Sequence, residues 1–142
     1  MPMWLTQGVA IQFQQLEISM KLINRQAVVV RRAQPFVDWV QSVDEQLDAD
    51  HTPLEDELIR GPANIYLLRD FDYMEDLEKH LKKRARDILE EELAGWFTDP
   101  DLWPDERGWK TFDAWLDWEL IDIVCDVEGS PVVHQDFSPG ST

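Results

Sequence analysis

From Asp72 to Phe97 the apolar residues keep one unbroken helical period, and no other stretch of the 142-residue chain constrains its fold as strongly. Leu77, Leu81, Ala85, Ile88 or Leu89, Leu93 and Trp96 recur every three or four positions, which puts them on one stripe of a 3.6-residue helix. The opposite face is charged. Glu75 and Lys79, Glu78 and Lys82, Lys83 and Asp87, and Arg86 and Glu90 stand four apart, and each pair adds roughly 0.2–0.5 kcal/mol to helix formation. Asp72 and Glu75 have the spacing of a capping pair at the start. Gly95 loosens the last turn, and Asp99 before Pro100 does not continue a helix. A helix of about 25 residues is roughly 37 Å long, so other elements must lie against its apolar stripe.

Those elements are legible on either side. Leu22–Arg31 centres on Ala27-Val28-Val29-Val30, a β-branched run bounded by Arg31-Arg32, and predicts a central strand buried on both faces. Pro35 suits the first turn of a short helix reaching about Gln46, with Phe36, Trp39, Val40 and Val43 inward. Asp44–Glu57 holds seven acids and no Lys or Arg, an acidic connector with a helical turn over Pro53–Ile59 that Gly61-Pro62 ends. Asn64–Arg69 predicts a second strand leading into the long helix, and a strand–helix–strand order implies a parallel pair joined by a right-handed crossover. Beyond the turn-rich Asp99–Gly108, Thr111 caps a predicted helix Phe112–Trp118, followed by an edge strand Glu119–Val127 in which Ile121, Ile123, Cys125 and Val127 alternate with acids. The fold class expected is α+β: a small mixed sheet of three or four strands with a βαβ unit, one long amphipathic helix, and shorter helices mainly on one face. Residues 1–19, where Val9, Ile11 and Phe13 alternate, form an N-terminal extension or edge strand; 20–128 form the domain; 129–142 form a flexible tail.

Four segments carry a resemblance. Gln34-Pro35-Phe36-Val37-Asp38-Trp39, then Glu91-Glu92-Leu93-Ala94-Gly95-Trp96 with Asp101-Leu102-Trp103-Pro104, then Phe112-Asp113-Ala114-Trp115-Leu116 resemble the pattern of a group of small, acidic, uncharacterised bacterial proteins. The likeness spans about Met20 to Val127, implies a bacterial cytoplasmic protein, and transfers no functional residue.

The charge narrows the partners. Thirteen Lys and Arg against 29 Asp and Glu leave −16, which repels nucleic acid and anionic lipid and favours a basic protein partner. The single Cys125 excludes an intramolecular disulfide and fits a buried thiol in a reducing compartment. His51, His80 and His134 have no metal-ligand spacing, and no Gly-rich phosphate loop or Gly-x-Ser-x-Gly elbow occurs. No cofactor is called for. The basic block Lys79–Arg86 has acids one turn away on both sides, as a solvated helix face does.

Trp96, Trp103, Trp109, Trp115 and Trp118 fall within 23 residues, mixed with acids. They suit a core where the long helix ends, while Trp103 and Trp109, with Asp99, Asp101 and Asp105 in the same loop, form the candidate partner surface. The expected function is a non-catalytic acidic protein-binding or regulatory module, monomeric or weakly dimeric. Its alternative is a small carboxylate-dependent hydrolase, with or without a metal.

Overall fold

The computed structural model describes residues 20–50 and 52–136. The expected N-terminal edge strand or extension at 1–19, His51 and the end of the tail at 137–142 lie outside the described residues. In chain order the elements are β1 (Lys21–Leu22), β2 (Arg25–Arg32), α1 (Gln34–Leu47), α2 (Asp56–Arg60), β3 (Asn64–Arg69), α3 (Met74–Ala94), a 3-10 turn (Pro100–Leu102), α4 (Trp109–Trp115), β4 (Leu116–Ile121) and β5 (Cys125–Asp126). The fold is α+β: β3, β2 and β4 make a three-stranded sheet in that order, and β1 pairs with β5 in a small second one.

β2 is central, as its apolar run predicts, but the sheet is antiparallel throughout and contains no βαβ unit. The cause lies between β2 and β3. Two helices, α1 and α2, fill that connection, and β3 starts beside the end of β2, where Val30 pairs with Asn64. One helix would have returned the chain to the opposite end. At the return Gly61 adopts φ +52°, a backbone region closed to most L residues, and a Cβ there would stand 3.3 Å from the Arg32 guanidinium.

α3 buries Leu77, Leu81, Ala85, Ile88, Leu89 and Leu93, the stripe its period predicts. It is two residues shorter at its start and three at its end than expected, so Trp96 lies beyond it and is only half-buried; Tyr73 occupies the N-cap without a side-chain hydrogen bond, so Asp72 and Glu75 form no capping pair. Among the spaced ion pairs, Arg86–Glu90 forms at 3.3 Å, joined by Arg84–Asp87 at 3.6 Å. Twenty-one residues at 1.5 Å rise give about 32 Å. Against this rod lie Val28, Val30 and Leu68 from one sheet face, Phe36, Val37 and Val40 from α1, Ile59 from α2, and Phe112 and Leu116. Buried Gln26 ties the layers at one end, donating to Asp122 (2.7 Å) and accepting from the Phe71 amide (2.7 Å).

The last elements depart from expectation in register. The short helix spans Trp109–Trp115 with Gly108, not Thr111, at its N-cap, and the strand begins at Leu116. Leu116, Trp118 and Leu120 face the core in register with Arg32, Val30 and Val28. The chain then leaves β2, and the half-buried Cys125 pairs with Leu22. None of the described helices is long and apolar enough to cross a membrane.

Candidate functional site

β2 keeps its period of two past Val30, so Arg32 points to the core face although it follows an exposed Arg31. α3 likewise carries Glu92 in phase with Ala85 and Ile88 on its inward stripe. The two meet: Arg32 Nη1 lies 2.7 Å from Glu92 Oε1, with side chains 7 % and 3 % exposed. Two opposite charges taken from water are tolerable when every remaining polar atom finds a partner, and here they do. The other oxygen, Glu92 Oε2, accepts from Asn64 Nδ2 (2.7 Å) and the Tyr66 hydroxyl (2.6 Å), both from β3. On the arginine, Nε donates to the carbonyls of Ile59 and Arg60 (3.0 Å each), and Nη2 donates to those of Arg60 and Pro62. Ile59 and Arg60 end α2, where carbonyls lack intrahelical donors and the helix dipole favours a cation. One guanidinium thus closes a helix terminus and neutralises a carboxylate.

The network forms the floor of a cleft of about 720 Å³ between α2, β3 and the end of α3, walled by Leu58, Pro62, Ile65, Glu91, Ala94 and Trp96. Tyr66 holds its proton firmly. Burial first, then the hydrogen bond to Glu92 and the charges of Glu92 and Glu91, push its pKa far above the usual phenol value, against a smaller opposing pull from Arg32. The Glu92 carboxylate thus accepts from three donors, and Arg32 makes five hydrogen bonds to four acceptor oxygens, so the network is occupied within itself. What the cleft offers is shape: Leu58 and Ile65 at its rim are 60 % and 62 % exposed.

The residues expected to form the partner surface are placed differently from one another. Trp103 is half-buried, donating from Nε1 to the Phe97 carbonyl (2.7 Å) beneath the Arg107 guanidinium (5.6 Å from its ring centre). Trp109 is half-buried as well, stacked on Phe112 at 5.3 Å with Lys82 above it. Asp99 caps the 3-10 turn through the Asp101 amide (3.0 Å), while Asp101 and Asp105 are exposed. Arg107 approaches Glu90 of α3 at 3.6 Å, an ion pair too long to be a hydrogen bond, which leaves its Nε without one. Both tryptophans therefore spend their rings on the junction of α3 and α4, where Trp39 also donates to the Leu102 carbonyl (2.9 Å).

Among the described residues no three His, Cys, Asp or Glu side chains converge as a metal site. Arg32, Glu92, Asn64 and Tyr66 escape a reading based on motifs because they share none. The usable signal is an Arg and a Glu, each standing in the apolar phase of its own element. Compared with protein-family models, curated proteins and solved structures, the chain matches none.

Proposed function

We propose that the chain is a non-catalytic protein-binding or regulatory module, acting in the bacterial cytoplasm on a basic protein partner. One observation carries the reading: the buried charged groups on the floor of the cleft, Arg32 and Glu92, are fully occupied, while its rim presents exposed Leu58 and Ile65 beside the exposed Glu91. Exposed apolar residues next to an unpaired charge suit recognition of another surface. A hydrolase acting through the buried Glu92 would need a free lone pair on that carboxyl, and both its oxygens are taken; the cleft's other carboxylate, Glu91, sits exposed at the rim. The chain's −16 charge speeds encounter with a cationic partner and makes it salt-sensitive. The binding side is then the β3 face of α3, while Trp103 and Trp109 pack at the junction of α3 and α4.

The test is retention of bacterial lysate proteins on the immobilised full chain at low and high salt. Capture of one basic protein that salt releases, and that a Leu58→Asp, Ile65→Asp variant fails to capture, is the expected result. Ester or phosphate hydrolysis by the purified chain that Glu92→Gln abolishes would refute it, as would capture of nothing.

A further inference from the structure

A second cleft of about 320 Å³ adjoins the first, and the two share Tyr66. Together they touch the whole of β3: Asn64, Ile65 and Tyr66 border the larger, Tyr66, Leu67, Leu68 and Arg69 the smaller. Successive side chains of a strand point to opposite faces. A furrow bordered by all six in turn therefore lies over neither face; it follows the edge of the strand, where the backbone is within reach. That edge is open, since among the described residues β3 pairs with β2 alone. The far wall of the furrow is α3, which contributes His80, Arg84, Ile88 and Glu91 at helical spacing.

An open strand edge facing a helix across a furrow is the geometry in which an extended segment adds as a further strand, its backbone bonded to the edge and alternate side chains held between strand and helix. Apart from the exposed Arg69 at its end, β3 lacks the usual defences against this. It contains no Pro or Lys, its register with β2 is unbroken from Arg69 to Asn64, and Ile65 and Leu67 are 62 % and 48 % exposed. The opposite edge strand, β4, carries exposed Asp117 and Glu119.

Charge decides which segment fits. Arg69 and Arg84 stand at one end with His80, and burial together with Arg69, Arg84 and Lys83 holds the His80 pKa below its ordinary value. Asp87, 3.6 Å from Arg84, offsets part of that field. Exposed Glu91 marks the other end, where Glu92 is already neutralised by Arg32. The furrow is thus positive at its Arg69 end and negative at its Asn64 end.

We propose that this furrow receives an extended segment of the partner protein as a fourth strand on β3, with an acidic residue beside Arg69 and Arg84, apolar residues at alternate positions, and a Lys or Arg beside Glu91. The proposal rests on the binding-module reading above and names its mode. β3 runs from the Glu91 end to the Arg84 end, and antiparallel pairing is the more stable per residue. The acid therefore precedes the base in the partner. Six residues of β3 at about 3.4 Å each span roughly 20 Å, so the two charges lie about five residues apart.

A display library of random linear peptides, selected against the full chain, tests the pattern, and hydrogen exchange of the chain with a synthetic copy of the enriched peptide tests the place. The expected result is enrichment of acid-first, base-last peptides with alternating apolar residues, and slowed exchange of amides within Asn64–Arg69. The Arg84→Glu, Glu91→Lys variant, folded by thermal melt, should bind that peptide about tenfold less tightly, as two reversed half-exposed pairs allow, and prefer a peptide with its two charges exchanged. No enrichment, a base-first pattern, or unchanged exchange along β3 overturns the proposal. If a salt-labile lysate partner is retained equally by this variant and leaves β3 exchange unchanged, strand addition is refuted while the module reading stands; a failed lysate capture refutes the module reading itself.

Discussion

Truncating Glu92 to Ala removes one charge from a pair whose side chains are 7 % and 3 % exposed, and leaves Arg32 cationic in a site that water barely reaches. Deleting one partner of a buried pair costs about 3–5 kcal/mol, because the survivor keeps its desolvation penalty without its compensation. The Tyr66 hydroxyl and Asn64 amide lose their acceptor as well, which places the loss toward the upper part of that range. A domain of this size has a total stability of about 5–15 kcal/mol, so the variant loses a large part of its margin. Its melting temperature should fall by about 12–20 °C, taking roughly 4 °C per kcal/mol for a chain between the small and mid-size classes. Urea unfolding followed by tryptophan fluorescence reads the change, and Trp96 on the cleft wall reports on the region concerned. The exposed pair Arg86–Glu90, with side chains 59 % and 29 % exposed, is the control: Arg86→Ala should cost no more than about 0.5 kcal/mol. A Glu92→Ala loss below about 1 kcal/mol, similar to that control, would mean that the network is hydrated and that its burial does not govern stability.

Tyr66→Phe deletes a hydrogen bond to a charged oxygen and should cost about 1.5–3 kcal/mol in the same urea titration. It should also change the alkaline limb of stability. Below about pH 10 both the folded and unfolded chains keep the phenolic proton, whereas above it the unfolded chain ionises first, because Tyr66 is raised in the fold. Stability of the wild type therefore falls as pH rises past 10, and the Phe variant should show a shallower fall; equal slopes would contradict the assignment. Gly61→Ala forces a side chain into φ +52° and toward Arg32, with an expected loss of about 1–3 kcal/mol in thermal unfolding, and a neutral or stabilised variant would count against the tight return into β3.

Where one period governed a segment, the sequence was sufficient. Asn64–Arg69 is the strand its composition predicts, and the stripe from Leu77 to Leu93 is buried as its spacing requires. Where two periods overlap, it was not. Phe112, Trp115 and Leu116 fit a helix, Leu116, Trp118 and Leu120 fit a strand, and Ile121, Ile123 and Cys125 fit a strand of the opposite phase. Contact with β2 selects the middle set and ends the strand at Ile121. Sheet direction depends on the end of the sheet at which the chain between two strands returns, and the five-residue α2 that precedes β3 is too short to assert itself by periodicity. The site was least legible, since arginine and glutamate at apolar positions ordinarily signal a misplaced register rather than a buried pair.

Why a polar network stands here instead of leucines has a measurable answer. Apolar contact is non-directional, so a greasy seam between α3 and β3 would hold them together at several relative positions with similar energy. The present bonds are specific: Glu92 of α3 reaches Asn64 and Tyr66 of β3 with one oxygen and Arg32 of β2 with the other, while Arg32 holds the end of α2. All the walls of the furrow are tied to one point. Replacing the set together, as Arg32→Met, Asn64→Val, Tyr66→Phe and Glu92→Leu, removes the buried charges at the same time as their partners, and such exchanges are often near neutral. The carbonyl of Ile59 is the fully buried acceptor left over, an uncompensated group worth about 1–3 kcal/mol. The fourfold variant should therefore be more stable than Glu92→Ala alone, although it lacks more hydrogen bonds. It should also exchange its β3 and α3 amides near the furrow faster than the wild type at matched global stability. A fourfold variant less stable than Glu92→Ala would show that the bonds themselves hold the fold, and unchanged exchange would show that they do not fix the walls.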